Sequence, residues 1–156
     1  MNRSAHPTIP ATAPKPAFPP RLRRRRGNSL IEAAFVFNVL LLLSFCTVEF
    51  GYFLYAKHTI QGAAREGARA AAVPGATTTD VTRAIARTLH AAGMNSSTTS
   101  IDSSKFTVDS YDPNVSAGQP VTITVRSTMG QIGPRPLFFM GAGKAIVGAT
   151  VMRKEG

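Results

Sequence analysis

Residues Gly27 to Ala56 read GNSLIEAAFVFNVLLLLSFCTVEFGYFLYA. Between Glu32 and Glu49 no side chain carries a charge, and Leu, Val, Phe, Ala and Ile fill most of the interval. At about 1.5 Å per residue, a helix from Leu30 to Ala56 is long enough for a hydrocarbon core about 30 Å thick. The run is apolar all round rather than striped, which points to lipid and not to a soluble core. A cleaved secretory signal fits less well. Its apolar core is about 7–15 residues and ends at small residues, whereas this one is longer and leads into Glu49 and aromatics.

What precedes the run reads as an address. Residues 1–20 are rich in Pro and Ala, and RLRRRR, Arg21 to Arg26, follows before Gly27. Such a composition buries too little apolar surface to fold, so residues 1–27 are expected to be a disordered basic leader. Of the chain's 18 basic residues, seven lie here, and none of its 8 acidic ones do. The remainder therefore holds 11 basic against 8 acidic residues, and most of the net charge of +10 belongs to the leader. Arg23, Arg24, Arg25 and Arg26 abut the apolar run, which keeps this end cytoplasmic and sends the C-terminal part across the membrane. They lack interleaved aromatics, so nucleic acid is not the expected partner. The single cysteine, Cys46, lies inside the run and reads as a small buried hydrophobe.

Glu32 sits one turn inside a hydrophobic helix, where a carboxylate is costly and usually marks a function or a partner. A cut after Gly27 would make Asn28 the amino terminus and Glu32 the fifth residue. The Glu32 carboxylate could then neutralise the Asn28 amine of a neighbouring subunit, pairing two charges that lipid would otherwise penalise.

G-N-S-L-I-E before an apolar helix resembles the type IV prepilin processing site, a Gly, a cut, and Glu at the fifth mature position. The longer stretch LIEAAFVFNVLLLLSFCTVEFGYFLYAKHTIQGAAREGARAAAV resembles the TadE-like family, pseudopilins of the tight-adherence (Tad, or Flp pilus) machinery. The features that match are Glu32, then Glu49 followed by Phe50 and Gly51, and AAREGARAA from Ala63 to Ala71. The strong part covers roughly Arg23 to Val73. The long Pro-rich leader departs from the pattern, as do Ala33 and Ala34, where related pilin sites often place an aromatic. The resemblance implies a pilin-like fold and cleavage between Gly27 and Asn28. It makes Glu32 the assembly carboxylate. It implies as partners a prepilin peptidase, the major Flp pilin, other pseudopilins and the inner-membrane Tad platform proteins.

Past the resemblance the residues speak for themselves. Asn38, deep in the run, can hydrogen-bond between helices, a contact averaging about 0.6 kcal/mol. Glu49 either sits at the interface facing water, with Tyr52 and Tyr55 at the same depth, or pairs a partner helix. KHTIQGAAREGARAAAV has no Pro until Pro74, so helix is expected to continue to Val73. Ala56, Ile60, Ala63, Gly67 and Ala71 recur at three- and four-residue spacing and form a narrow small-residue face. It packs either on the protein's own sheet or on sister helices. Glu66 and Arg69 read as a surface pair.

Thr79 or Asp80 is the expected cap of a second helix, DVTRAIARTLHAAG, stopped by Gly93. KFTVDSY and PVTITVRST read as strands from their period-two alternation, and KAIVGATVMR reads as a third, with Gly148 a candidate bulge. Leu137-Phe138-Phe139-Met140 is an apolar centre in a Gly/Pro connector. It either folds back over the sheet or touches membrane or a partner.

The expected architecture is α+β. A transmembrane helix spans 28–56, its extracytoplasmic extension 57–73, and a small head of one helix and a three-stranded antiparallel sheet 74–156. No His/Cys/Asp/Glu cluster, G-x-S-x-G or phosphate loop is present, so neither an enzyme nor a bound cofactor or metal is expected. Localisation is expected in the cytoplasmic (inner) membrane. A minor pseudopilin that takes part in Flp pilus assembly is the favoured reading. The alternative is an unprocessed single-pass protein whose head binds a partner.

Overall fold

The computed structural model describes residues 26–109, 111–133 and 141–156, with side chains from Ser29 onward. The elements in chain order are α1 (Arg26–Ala72), α2 (Thr78–Ala91), β1 (Phe106–Val108), β2 (Pro120–Thr128), α3 (Met129–Ile132) and β3 (Ala145–Arg153). They divide into two units at the boundary between Val36 and Phe37, within α1. The described part of the first is the opening of α1. The second holds the rest of α1 and every other element. The class is α+β, with one long apolar N-terminal helix, a second helix and a three-stranded antiparallel sheet.

In the second unit the sheet order is β1-β2-β3. β2 spans the residues whose alternation is clearest, with Val121, Ile123 and Val125 buried on one face. β1 is shorter than its sequence suggests and pairs only from Phe106↔Ser127 to Val108↔Val125; Ser110 lies outside the described residues. β3 pairs with β2 without interruption, from Thr128↔Ala145 to Pro120↔Arg153.

Gly148 is therefore not a bulge, since it faces Val125 in regular register. Its reason is tertiary. A Cβ at Gly148 would stand 2.7 Å from the Ile60 carbonyl oxygen and 2.8 Å from the Gln61 nitrogen. The α1 backbone crosses the strand there, and only glycine leaves room. Beside the crossing, Gln61 Nε2 donates to Ala149 O at 2.8 Å and to Thr150 Oγ1 at 3.2 Å. At Gly67 a Cβ would fall 2.7 Å from Ile85 Cγ1 and 3.3 Å from Ile123 Cγ2, so α2 and β2 both close on the helix.

α2 begins two to three residues earlier than expected. Its N-cap is Thr77, and Asp80 completes a capping box: Asp80 N donates to Thr77 Oγ1 at 3.3 Å and Thr77 N to Asp80 Oδ2 at 3.1 Å. Val81, Ile85, Ala86 and Leu89 form its buried face. Gly93, at φ +71°, ends it. Gly93 N donates to His90 O and Met94 N to Leu89 O, which is a Schellman closure, and both Met94 and Leu89 are buried. The connector after β2 carries a feature not expected, the four-residue α3. Leu137-Phe138-Phe139-Met140 lies outside the described residues. Glu66 and Arg69 do not pair. Among the described residues the ion pairs are Arg83–Asp80, Lys105–Asp102 and Arg126–Asp109.

The C-terminal end of α1, one residue short of Val73, is held by the end of the sheet. Tyr111 Oη donates to Ala71 O at 3.2 Å and Glu155 N to Ala72 O at 2.9 Å. These carbonyls belong to the last turn and have no partner inside the helix. Lys154, buried, donates from Nζ to Tyr111 Oη and to Pro113 O, each at 3.0 Å, and lies 5.5 Å from the Tyr111 ring centroid. A buried ammonium is costly without such company. Two oxygens, an aromatic face and the negative end of α1 supply it.

Candidate functional site: the exposed face of the long helix

From Ser29 to Val48 every residue of α1 is exposed except the half-buried Cys46. The large side chains among them stand open: Leu30 is 75 % exposed, Phe35 71 % and Val48 68 %. Soluble surfaces do not carry contiguous apolar area on that scale. Lipid, or lipid together with other apolar helices, is the medium that suits it. This is the one helix among the described residues long and apolar enough to cross a membrane, and its length and open apolar surface suit a single-pass anchor. Its hydroxyls are already satisfied. Ser44 Oγ donates to Leu40 O and Thr47 Oγ1 to Leu43 O, both at 2.8 Å, so neither presents an unmet donor to hydrocarbon.

The residues singled out in the sequence fall into three groups. Arg23, Arg24 and Arg25 lie outside the described residues. Arg26, Gly27 and Asn28 form the first turn of α1, and their side chains lie outside too. Glu32 and Asn38 are exposed on the apolar stretch. Glu49, Ala63, Gly67 and Ala71 are buried in the second unit. Glu49 is only 7 % exposed and is not without a partner. The small-residue face of Ala56, Ile60, Ala63, Gly67 and Ala71 is closed by the chain's own α2 and sheet.

The tyrosines that follow the apolar stretch join it to the head. Tyr52 Oη donates to Ile132 O at 2.5 Å, and a Cβ at Gly133 would overlap the Tyr52 ring. Tyr55 Oη donates to Ala92 O at 3.0 Å. The two rings lie 6.2 Å apart. Sequence reasoning placed these tyrosines at a membrane boundary from their type and position. It gave no sign of their carbonyl partners, which sit 80 and 37 residues away. The Lys154 clasp was equally hidden, because a lysine near a chain end reads as solvent-facing.

Among the described residues no three His, Cys, Asp or Glu side chains gather as metal ligands would. A surface groove lined by Lys105, Thr107, Arg126 and Gln131 holds two cations, but each is already paired, with Asp102 at 3.8 Å and Asp109 at 3.3 Å.

Compared with known proteins, residues 27–69 match the family model described as TadE-like protein. The match runs from the residue before the apolar stretch to Arg69, and so covers the anchor and most of the buried continuation of α1. It identifies this segment as TadE-like. No curated protein and no solved structure matches the chain.

Proposed function

We propose that this chain is a TadE-like minor pseudopilin that takes part in assembling Flp-type (type IVb) pili for surface adherence. The observation that carries the reading is the exposed apolar surface of α1, with Glu32 standing in it, inside a segment that matches the TadE-like family. An anchor needs no carboxylate among its lipid-facing residues, and one there calls for a counter-charge. Cleavage between Gly27 and Asn28 creates that counter-charge as the new α-amino group. Glu32 of one subunit takes the Asn28 amine of the next, and the apolar faces of neighbouring helices close around the pair. Asn38 adds a polar contact within the same helix bundle. Arg23 to Arg26 hold the leader in the cytoplasm, where a prepilin peptidase removes it, and the head is extracytoplasmic on the inner membrane. The major Flp pilin, other pseudopilins and the inner-membrane Tad platform are the partners. The head presents surfaces and performs no chemistry.

The test is the intact mass and N-terminal sequence of the membrane-bound protein, with and without the prepilin peptidase of its host. A mature start at Asn28 is expected. An uncut Met1 in the presence of the peptidase would favour the unprocessed, partner-binding anchor instead. Glu32→Ala should still insert but assemble poorly, and normal piliation from that variant would remove the role given to Glu32.

A further inference from the structure

The exposed apolar stretch of α1 and the hydrogen bonds of its tyrosines together fix the depth at which the head sits. Along the part of α1 in the second unit, large apolar side chains stay exposed as far as Phe50, Leu54 and Tyr55, at 54 %, 39 % and 48 %. The first cation beyond them is Lys57, which is exposed. Tyr52 and Tyr55 thus mark the lipid boundary, the depth that suits an amphipathic ring. Their hydroxyls do not turn to water. They bond to Ile132 O and Ala92 O. A group bonded directly to a tyrosine hydroxyl lies within one side chain of the helix, at the depth of the tyrosine itself.

We infer that the head has a membrane-facing rim, made of the α2 end at Ala91–Gly93 and the α3 end at Ile132–Gly133, seated in the lipid headgroup layer. The occupant of this surface is the bilayer, because Tyr52 and Tyr55 tie the rim carbonyls directly to the end of the exposed apolar surface of α1. α2 is oriented to match. Its Ile85 fills the space beside Gly67, and its C-cap carbonyl reaches Tyr55. The helix therefore descends toward the membrane and leaves its N-terminus on the far side. Thr79 and Ala91, twelve residues apart on α2, lie about 18 Å apart along its axis. Gly93, at φ +71°, turns the chain away before it goes deeper. Lys57 and His58, both exposed, stand at the level where phosphate groups lie.

This inference rests on α1 crossing the membrane, and its test separates the two. Single cysteines are placed in the full chain, in a Cys46→Ser background, at Leu41, Ala91 and Thr79, all exposed. His90→Cys, also exposed, repeats the rim measurement. Each is labelled with a nitroxide in vesicles of phosphatidylcholine and phosphatidylglycerol. Collision with oxygen and with a water-soluble nickel chelate is then compared. Leu41 should favour oxygen, Thr79 should favour nickel, and Ala91 and His90 should fall between, with nickel access several-fold below that of Thr79. Rim labels as open to nickel as Thr79, with Leu41 in lipid, would overturn the seated rim and leave the anchor standing. A Leu41 label as open to nickel as Thr79 would overturn the anchor, and the rim with it.

Discussion

From Phe37 to Tyr55, α1 turns most of its large apolar side chains outward; from Ala56 to Ala72 its one large apolar side chain is Ile60. The first stretch is Leu, Phe and Val. The second buries Ala56, Ala63, Ala64, Ala68 and Ala71, with Ile60 the one large residue fully enclosed. One helix thus meets two apolar media, and they ask different things of it. Lipid is fluid and accepts any apolar shape. A folded head is close-packed and accepts only a shape that fits. The small residues let strand and helix backbones approach, which is why Gly67 and Gly148 both stand where a Cβ would collide.

The sharpest way to break this contrast is to make the same kind of cut in each stretch. Ile60→Ala should lower the stability of the head by about 3 kcal/mol, the lost transfer energy plus the cavity. Leu41→Ala should leave it within about 0.5 kcal/mol. Urea unfolding in detergent, followed by tyrosine fluorescence because the chain has no Trp, reads both. Equal effects would mean that the exposed stretch also packs on the head. Adding volume is the converse test. Gly148→Ala pushes a methyl into the Ile60–Gln61 backbone and should destabilise by about 2 kcal/mol. A neutral result would show that helix and strand can separate there without loss.

Gly62 sharpens the comparison from the other side. Nothing lies within 4 Å of where its Cβ would be, so it carries glycine's helix penalty with no contact in the head that requires it. Gly62→Ala should raise the thermal midpoint, by the equivalent of about 1 kcal/mol. A fall would point to a close neighbour at that position.

The smallest effect concerns acid. Hydrogen bonds from Thr77 hold the Asp80 carboxyl below its ordinary value of 3.8, and those from Ser104 do the same for Asp102. A carboxyl depressed in the folded state stabilises fully above its unfolded value. That contribution is lost as pH falls through the lower, folded one. Head stability should therefore decline below pH 3.8, and Asp80→Asn should make the decline shallower. An unchanged acid limb in that variant would assign the loss to other carboxylates.

Local pattern explains what could be read in advance. The PVTITVRST alternation locates β2 because one of its faces meets the core and the other does not. The apolar run reveals an exposed helix because charge is missing on every side. Elements decided by distant partners were hidden. In the run Thr77-Thr78-Thr79-Asp80 three hydroxyls look alike, and only the phase that buries Val81, Ile85 and Leu89 makes Thr77 the cap. Gly148 carried the mark of an interrupted strand, but its cause is a helix crossing nearly ninety residues away in sequence. β1 was overestimated since alternation continues through Asp109 while the ladder stops at Val108. Of the candidate site, the exposed Glu32 could be anticipated. The burial of Glu49 could not, because position along a helix says nothing of what folds back against it.

Gln61 carries a consequence for heads crowded on a surface. β3 is an edge strand of nine residues, and nothing in it but Arg153 is charged. Such an edge is a template on which another chain's strand can add. The Gln61 amide, reaching from α1 to Ala149 O, occupies the middle of that template. A strand arriving from a neighbour must first displace it. Anchored proteins meet at high local density and in a common orientation, conditions under which open sheet edges fuse. One side chain at mid-strand therefore stands in the way of that fusion.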